Sequence, residues 1–66
     1  MEMSDYIQYV WLRLGEMQNC LQELRSRASV DLATQDPARL ALFDKHALRA
    51  WAEIQSARNT LTYKGA

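Results

Sequence analysis

A chain of 66 residues with eight Lys+Arg against eight Asp+Glu, 48% hydrophobic residues and 24% charged has room for one small domain. It is too apolar for a disordered tail and has no charge excess for a nucleic-acid arm or a polybasic membrane anchor. One Cys and one His exclude a disulfide framework and a dedicated metal cage. A chain this short buries only about 60% of its unfolded surface when it folds alone, so a partner chain is the remaining source of stability.

The start, Met1-Glu2-Met3-Ser4-Asp5, is acidic where a secretory signal is basic. The stretch Tyr6 to Leu14 is interrupted by Gln8 and Arg13 and falls far short of the ~20 apolar residues of a membrane span. A single free cysteine fits a reducing compartment, and the expected location is cytoplasmic.

Ala, Leu, Gln, Glu and Arg dominate, which favours helix because these side chains lose little rotamer freedom there. Met3, Ile7, Val10, Leu14, Met17, Leu21, Leu24 and Ala28 alternate steps of four and three. That is the 3.5-residue repeat of one helical stripe, as in a coiled coil. Ser4 can cap the run, with Asp5 in the first turn. The spacing predicts helix 1 over about 5–29, with Gly15 costing about 1 kcal/mol relative to Ala.

The turn, about 30–36, is short enough to fold two long helices into an antiparallel hairpin, with Leu32 over the open end of the seam. Asp36-Pro37 then reads as an N-cap followed by proline at the first helical position, where its missing N–H has no intrahelical partner to lose. Leu40, Phe43, Ala47, Ala50, Ile54, Ala57 and Leu61 repeat the three-four alternation and predict helix 2 over about 37–62, with Gly65 helping to end it. Large residues on helix 1 face Ala47, Ala50 and Ala57 on helix 2, which permits close approach.

One seam does not use up the apolar surface. Tyr6, Ile7, Tyr9, Val10, Trp11, Leu12 and Leu14 surround the first turns of helix 1, and Leu42, Leu48 and Trp51 flank the stripe of helix 2. A helix apolar all round is normally buried all round, which a two-helix hairpin cannot do by itself. The expectation is an all-α hairpin that dimerises into a four-helix bundle. Its interface candidates are Tyr6, Ile7, Tyr9, Val10, Trp11, Leu14, Met17, Leu48 and Trp51, rich in the aromatic types that carry interface energy.

Cys20 and His46 each lie thirteen positions from a turn centred near residue 33 and flank the stripe, so they are expected at one level of the hairpin. Such a contact could lower the thiol pKa. No oxyanion donor or Gly-rich turn frames it, and no cleft is expected to exclude water. Two ligands fall short of tetrahedral zinc. Arg25, Arg27, Arg39, Lys45, Arg49 and Arg58 are interleaved with Glu23, Asp44 and Glu53. Arg25 and Arg27 suit a helix C-terminus, and Glu23 and Arg27 an i,i+4 pair. The reading is a mixed-charge solvated face without nucleic-acid binding. No enzyme activity, cofactor, metal, membrane or small-molecule substrate is expected.

Leu40-Ala41-Leu42-Phe43 with Ala52-Glu53-Ile54 resembles part of the last long helix of Hha-type nucleoid modulators, with Leu48-Arg49-Ala50 replacing a more polar stretch of that family. The hairpin length, with Pro37 starting helix 2 and Leu40 and Phe43 following, is similar to the small helical co-chaperones of type III secretion needles. Neither resemblance carries functional residues across, and both families act by binding proteins. The expected function is a small regulatory or inhibitory adaptor that binds itself and another protein and occludes a surface the target needs. The alternatives are a secretion-type co-chaperone shielding a partner helix and, further off, a nucleoid-modulator-like protein or a Cys/His enzyme.

Overall fold

The computed structural model describes residues 4–62. Two helices pack against each other: α1, Asp5–Asp31, and α2, Pro37–Leu61. They form the all-α helical hairpin that the two periodic stripes require. Met3 and Gly65, expected in the stripe of helix 1 and at the end of helix 2, lie outside the described residues.

Both helix starts are fixed by the anticipated side chains. Ser4 Oγ accepts from the Ile7 amide at 3.1 Å, and Asp36 Oδ1 accepts from the Arg39 amide at 3.0 Å. Each satisfies a donor that the first turn would otherwise leave open. Pro37 occupies the first turn of α2. α1 runs two residues beyond the expected end, to Asp31. Leu32 then caps it, its amide bonding Ala28 O at 2.8 Å while its own carbonyl accepts from Asp36 N at 2.9 Å. Arg25 and Arg27 are therefore not in the last turn of α1, which carries no basic residue. The macrodipole does not account for them.

The hairpin measures 49 × 21 × 10 Å. It is one helix thick, so it encloses almost no interior. Among the described residues only Gln18, 4% exposed, and Ala47, 5% exposed, are buried. The seam follows Ile7, Trp11, Leu14, Gln18, Leu21, Arg25, Ala28 and Leu32 on α1, and Leu40, Asp44, Ala47, Trp51, Ile54, Arg58 and Leu61 on α2, all buried or half-buried.

This corrects the expected seam. Every second member of each stripe is displaced by one residue. Trp11, Gln18 and Arg25 take the places expected for Val10, Met17 and Leu24, and Asp44, Trp51 and Arg58 those expected for Phe43, Ala50 and Ala57. Val10 and Phe43 remain half-buried, but Met17, Leu24, Ala50 and Ala57 are exposed. The same displacement on both helices turns the hairpin toward its tryptophans. Polar side chains tolerate the seam because they find partners across it.

Candidate functional site

The two broad faces of this thin layer differ in chemistry. One carries a ladder of polar contacts between the helices. Near its middle, Gln18 Nε2 donates to the Trp51 carbonyl at 3.3 Å and to Gln55 Oε1 at 3.0 Å, while Gln18 Oε1 accepts from Arg58 Nη1 at 2.8 Å. The guanidinium of Arg58 lies over the Trp11 ring, 3.8 Å from its centroid. Arg58 Nε is buried without a hydrogen-bond partner. The cation is held by one amide oxygen and one aromatic face, both weaker than a carboxylate.

Gly15 gives this stack its close approach to α1. A Cβ at residue 15 would stand 3.1 Å from Arg58 Nη2 and 3.2 Å from its Cζ, closer than a side chain ordinarily sits. The helix-weakening glycine thus lets the guanidinium lie against α1.

Closer to the turn, Arg25 grips Asp44 with Nε on Oδ1 at 2.7 Å and Nη2 on Oδ2 at 3.4 Å. The hydrogen bond from Arg25 holds the Asp44 carboxyl below the usual carboxylate range, and the same bond raises the Arg25 guanidinium. Arg25 also bonds Gln22 Oε1 at 3.1 Å. The other ion pairs among the described residues, Arg13–Glu16 and Asp36–Arg39, each lie within three positions on one helix. The expected Glu23–Arg27 pair is not among them.

The opposite face is apolar. Met17, Cys20, Leu21 and Leu24 of α1 and Ala50 and Ile54 of α2 line a groove of about 360 Å³ with no polar surface. Met17 and Leu24 stand 52% and 53% exposed. Cys20 is a free, exposed thiol at the edge of this groove. His46 is exposed and is not one of its lining residues. The contacts of Gln18 with Trp51 and Gln55 and of Arg25 with Asp44 set Cys20 level with Ala50 and His46 about one turn nearer the hairpin turn, so the two do not share the expected level. Among the described residues no three His, Cys, Asp or Glu gather around a common point, and no helix is long and apolar enough to cross a membrane.

The interface candidates separate into two sets. Tyr6, Tyr9, Met17 and Leu48 are exposed, the two tyrosines most of all at 72% and 61%. Ile7, Val10, Trp11, Leu14 and Trp51 are half-buried, and Trp11 is further covered by Arg58. Sequence reasoning missed Gln18, Arg25, Asp44 and Arg58 as seam residues. The available signal was spacing: Gln18 and Arg25 fall one heptad apart, Asp44 and Arg58 two heptads apart with Trp51 midway, and each helix carries hydrogen-bonding groups at levels the other can reach. Comparison of the chain with family models, with curated proteins and with solved structures gives no match.

Proposed function

We propose that this chain is a small, non-catalytic protein-binding regulator that associates with itself into a four-helix bundle and acts by covering a surface its target needs. The observation that carries this reading is the amount of apolar side chain left outside the hairpin. Tyr6, Tyr9, Leu12, Met17, Leu24, Leu42 and Leu48 are each at least 47% exposed. Apolar surface of this extent on a layer one helix thick has no outlet among the described residues and is characteristic of interaction sites. Tyr6 and Tyr9 are the anchors best placed for a target. They carry large contact area at low entropic cost and stand clear of the seam.

A second reading, a secretion-type co-chaperone that shields a partner helix, is favoured by the groove itself. Two antiparallel helices with an apolar furrow between them are the receptor form of helix-in-groove recognition.

The test is recovery of bound protein from a cytoplasmic lysate on immobilised wild-type chain and on the double variant Tyr6→Ala/Tyr9→Ala, with far-UV circular dichroism to verify the helices. A species held by the wild type and lost by the variant, whose own activity falls as the chain is added, supports the regulator. Equal recovery on both removes the tyrosines as anchors. A species held as a stable one-to-one complex without loss of its activity favours the co-chaperone.

A further inference from the structure

The self-association proposed above can be given a surface and a packing. We infer that the groove of Met17, Leu21, Leu24, Ala50 and Ile54 is covered by the same groove of a second copy, with α1 of each chain lying on α2 of the other and both turns at the same end.

Three observations lead there. The first is area. The chain exposes 5449 Å², whereas a compact monomer of 7.6 kDa exposes about 4,300 Å² by the surface–mass scaling of folded proteins. The surplus, about 1,100 Å², exceeds the roughly 800 Å² that each partner contributes to a standard interface. The hairpin thus leaves exposed, beyond what a compact monomer of its mass would, an area comparable with one partner's share of a standard interface.

The second is chemistry. The face with the Gln18–Arg58 and Arg25–Asp44 contacts also exposes Glu16, Asn19 and Gln22, polar groups that a covering helix would have to desolvate. The six residues that line the groove present no polar surface, so covering the groove itself carries no desolvation cost for polar atoms.

The third is shape. Hydrogen bonds set Gln18 level with Trp51 and Gln55, and Arg25 level with Asp44. Met17 therefore stands at the level between Ala50 and Ala57, and Leu24 at the level between Phe43 and Ala50. All of these except Phe43 are exposed. A two-fold axis parallel to the helices lays α2 of the second copy across α1 at these same levels. Met17 then falls beside Ala50 and Ala57, and Leu24 beside Ala50 on one side, twice over, which is the self-complementarity a two-fold interface demands. Placing α1 on α1 instead, with Met17 opposed to Leu24, would set large side chains on large ones and bring Ala50 opposite its own copy across a gap, which dense packing disfavours.

The experiment measures mass by light scattering over a hundredfold concentration range for the wild type, Met17→Glu, Ala50→Lys, an equimolar mixture of the two variants, and Tyr9→Ser. Both groove positions are exposed in the hairpin, and circular dichroism checks that its helices persist. The wild type is expected to be a dimer. Either groove variant should weaken association at least about thirtyfold, the size of a hot-spot loss. The mixture should recover a heterodimer, because α1-on-α2 packing brings the two new opposite charges together. Tyr9→Ser should leave the mass unchanged.

A wild type monomeric throughout overturns both this inference and the self-association on which it rests. A dimer indifferent to Met17→Glu and Ala50→Lys but dissolved by Tyr9→Ser leaves self-association standing and overturns the face. A mixture that stays monomeric overturns the α1-on-α2 packing. Alkylation of Cys20, a groove-lining thiol, gives a readout without substitution. Its rate should fall as the chain is concentrated through the dimer range, and a constant rate across a dimerising series counts against the groove.

Discussion

Replacing Gln18 by leucine tests the polar seam where it is most tightly enclosed. At 4% exposure the side chain is one that simple hydrophobic patterning would improve, since leucine there adds about 1–1.5 kcal/mol of apolar burial. The hydrogen bonds argue the other way. Gln18→Leu removes the 2.8 Å bond from Arg58 Nη1 and strands part of a guanidinium whose Nε is already unpartnered. A bond to a charged group contributes about 1.5–3 kcal/mol. The neutral bond to Gln55 Oε1 is lost as well, at about 1 kcal/mol. The losses exceed the gain, and Gln18→Leu should destabilise the hairpin by about 1–2 kcal/mol. For a chain of this size that lowers the thermal midpoint by several degrees, at about 4–8 °C per kcal/mol.

The companion change Arg58→Met keeps an unbranched stem over Trp11 and removes the charge. The double variant Gln18→Leu/Arg58→Met should recover wild-type stability or exceed it, because both ends of the polar contact are then apolar together. Urea titration followed by circular dichroism on the four proteins, at one fixed protein concentration, closes the cycle. The coupling should be at least about 1 kcal/mol in favour of the native pair. Additive changes, or a Gln18→Leu variant as stable as the wild type, would refute the claim that this contact holds the seam in its displaced register.

Gly15→Ala should stabilise the Arg58→Met background by up to about 1 kcal/mol, the helix-propensity difference, and the wild type by less, since there the new methyl meets the Arg58 guanidinium; paired urea titrations give the comparison. Asp36→Ala should cost about 1 kcal/mol through loss of the cap on the Arg39 amide, read as a lowered urea midpoint with unchanged slope. The Asp44 carboxyl is held below its ordinary pKa by Arg25, so its stabilising contribution is complete above the unfolded carboxylate value near 3.9 and disappears as pH falls through the lower folded one. Asp44→Asn should accordingly flatten the loss of stability as the pH falls below the ordinary carboxylate range near about 4, and an acid titration of unchanged steepness would show that the pair contributes nothing to it.

The helices themselves were legible in the residues. Ser4 and Asp36-Pro37 start them where local chemistry alone requires, since a cap concerns only the backbone amides two and three positions on. The long three-four alternations announce two helices, and a turn of a few residues leaves them no course except back on each other. The surplus of apolar surface was equally plain, because a single seam cannot bury Tyr6, Tyr9, Leu12, Leu42 and Leu48 together with its own stripes.

Tertiary structure decided which edge of each stripe faces inward. Ile7, Leu14, Leu21 and Ala28 belong to both candidate seams, as do Leu40, Ala47, Ile54 and Leu61, so apolar periodicity fixes half of the contact surface and leaves a choice of rotation for the rest. On one side stand Met17, Leu24, Ala50 and Ala57, and on the other Trp11, Gln18, Arg25, Asp44, Trp51 and Arg58. Counting apolar residues favours the first. The second prevails because a polar group's cost in a seam depends on what stands opposite it, and Gln18, Arg25, Asp44 and Arg58 are opposite one another. That pairing is a property of two helices at a particular level and rotation, absent from either stripe read alone, and it turns the apolar edge of the hairpin outward.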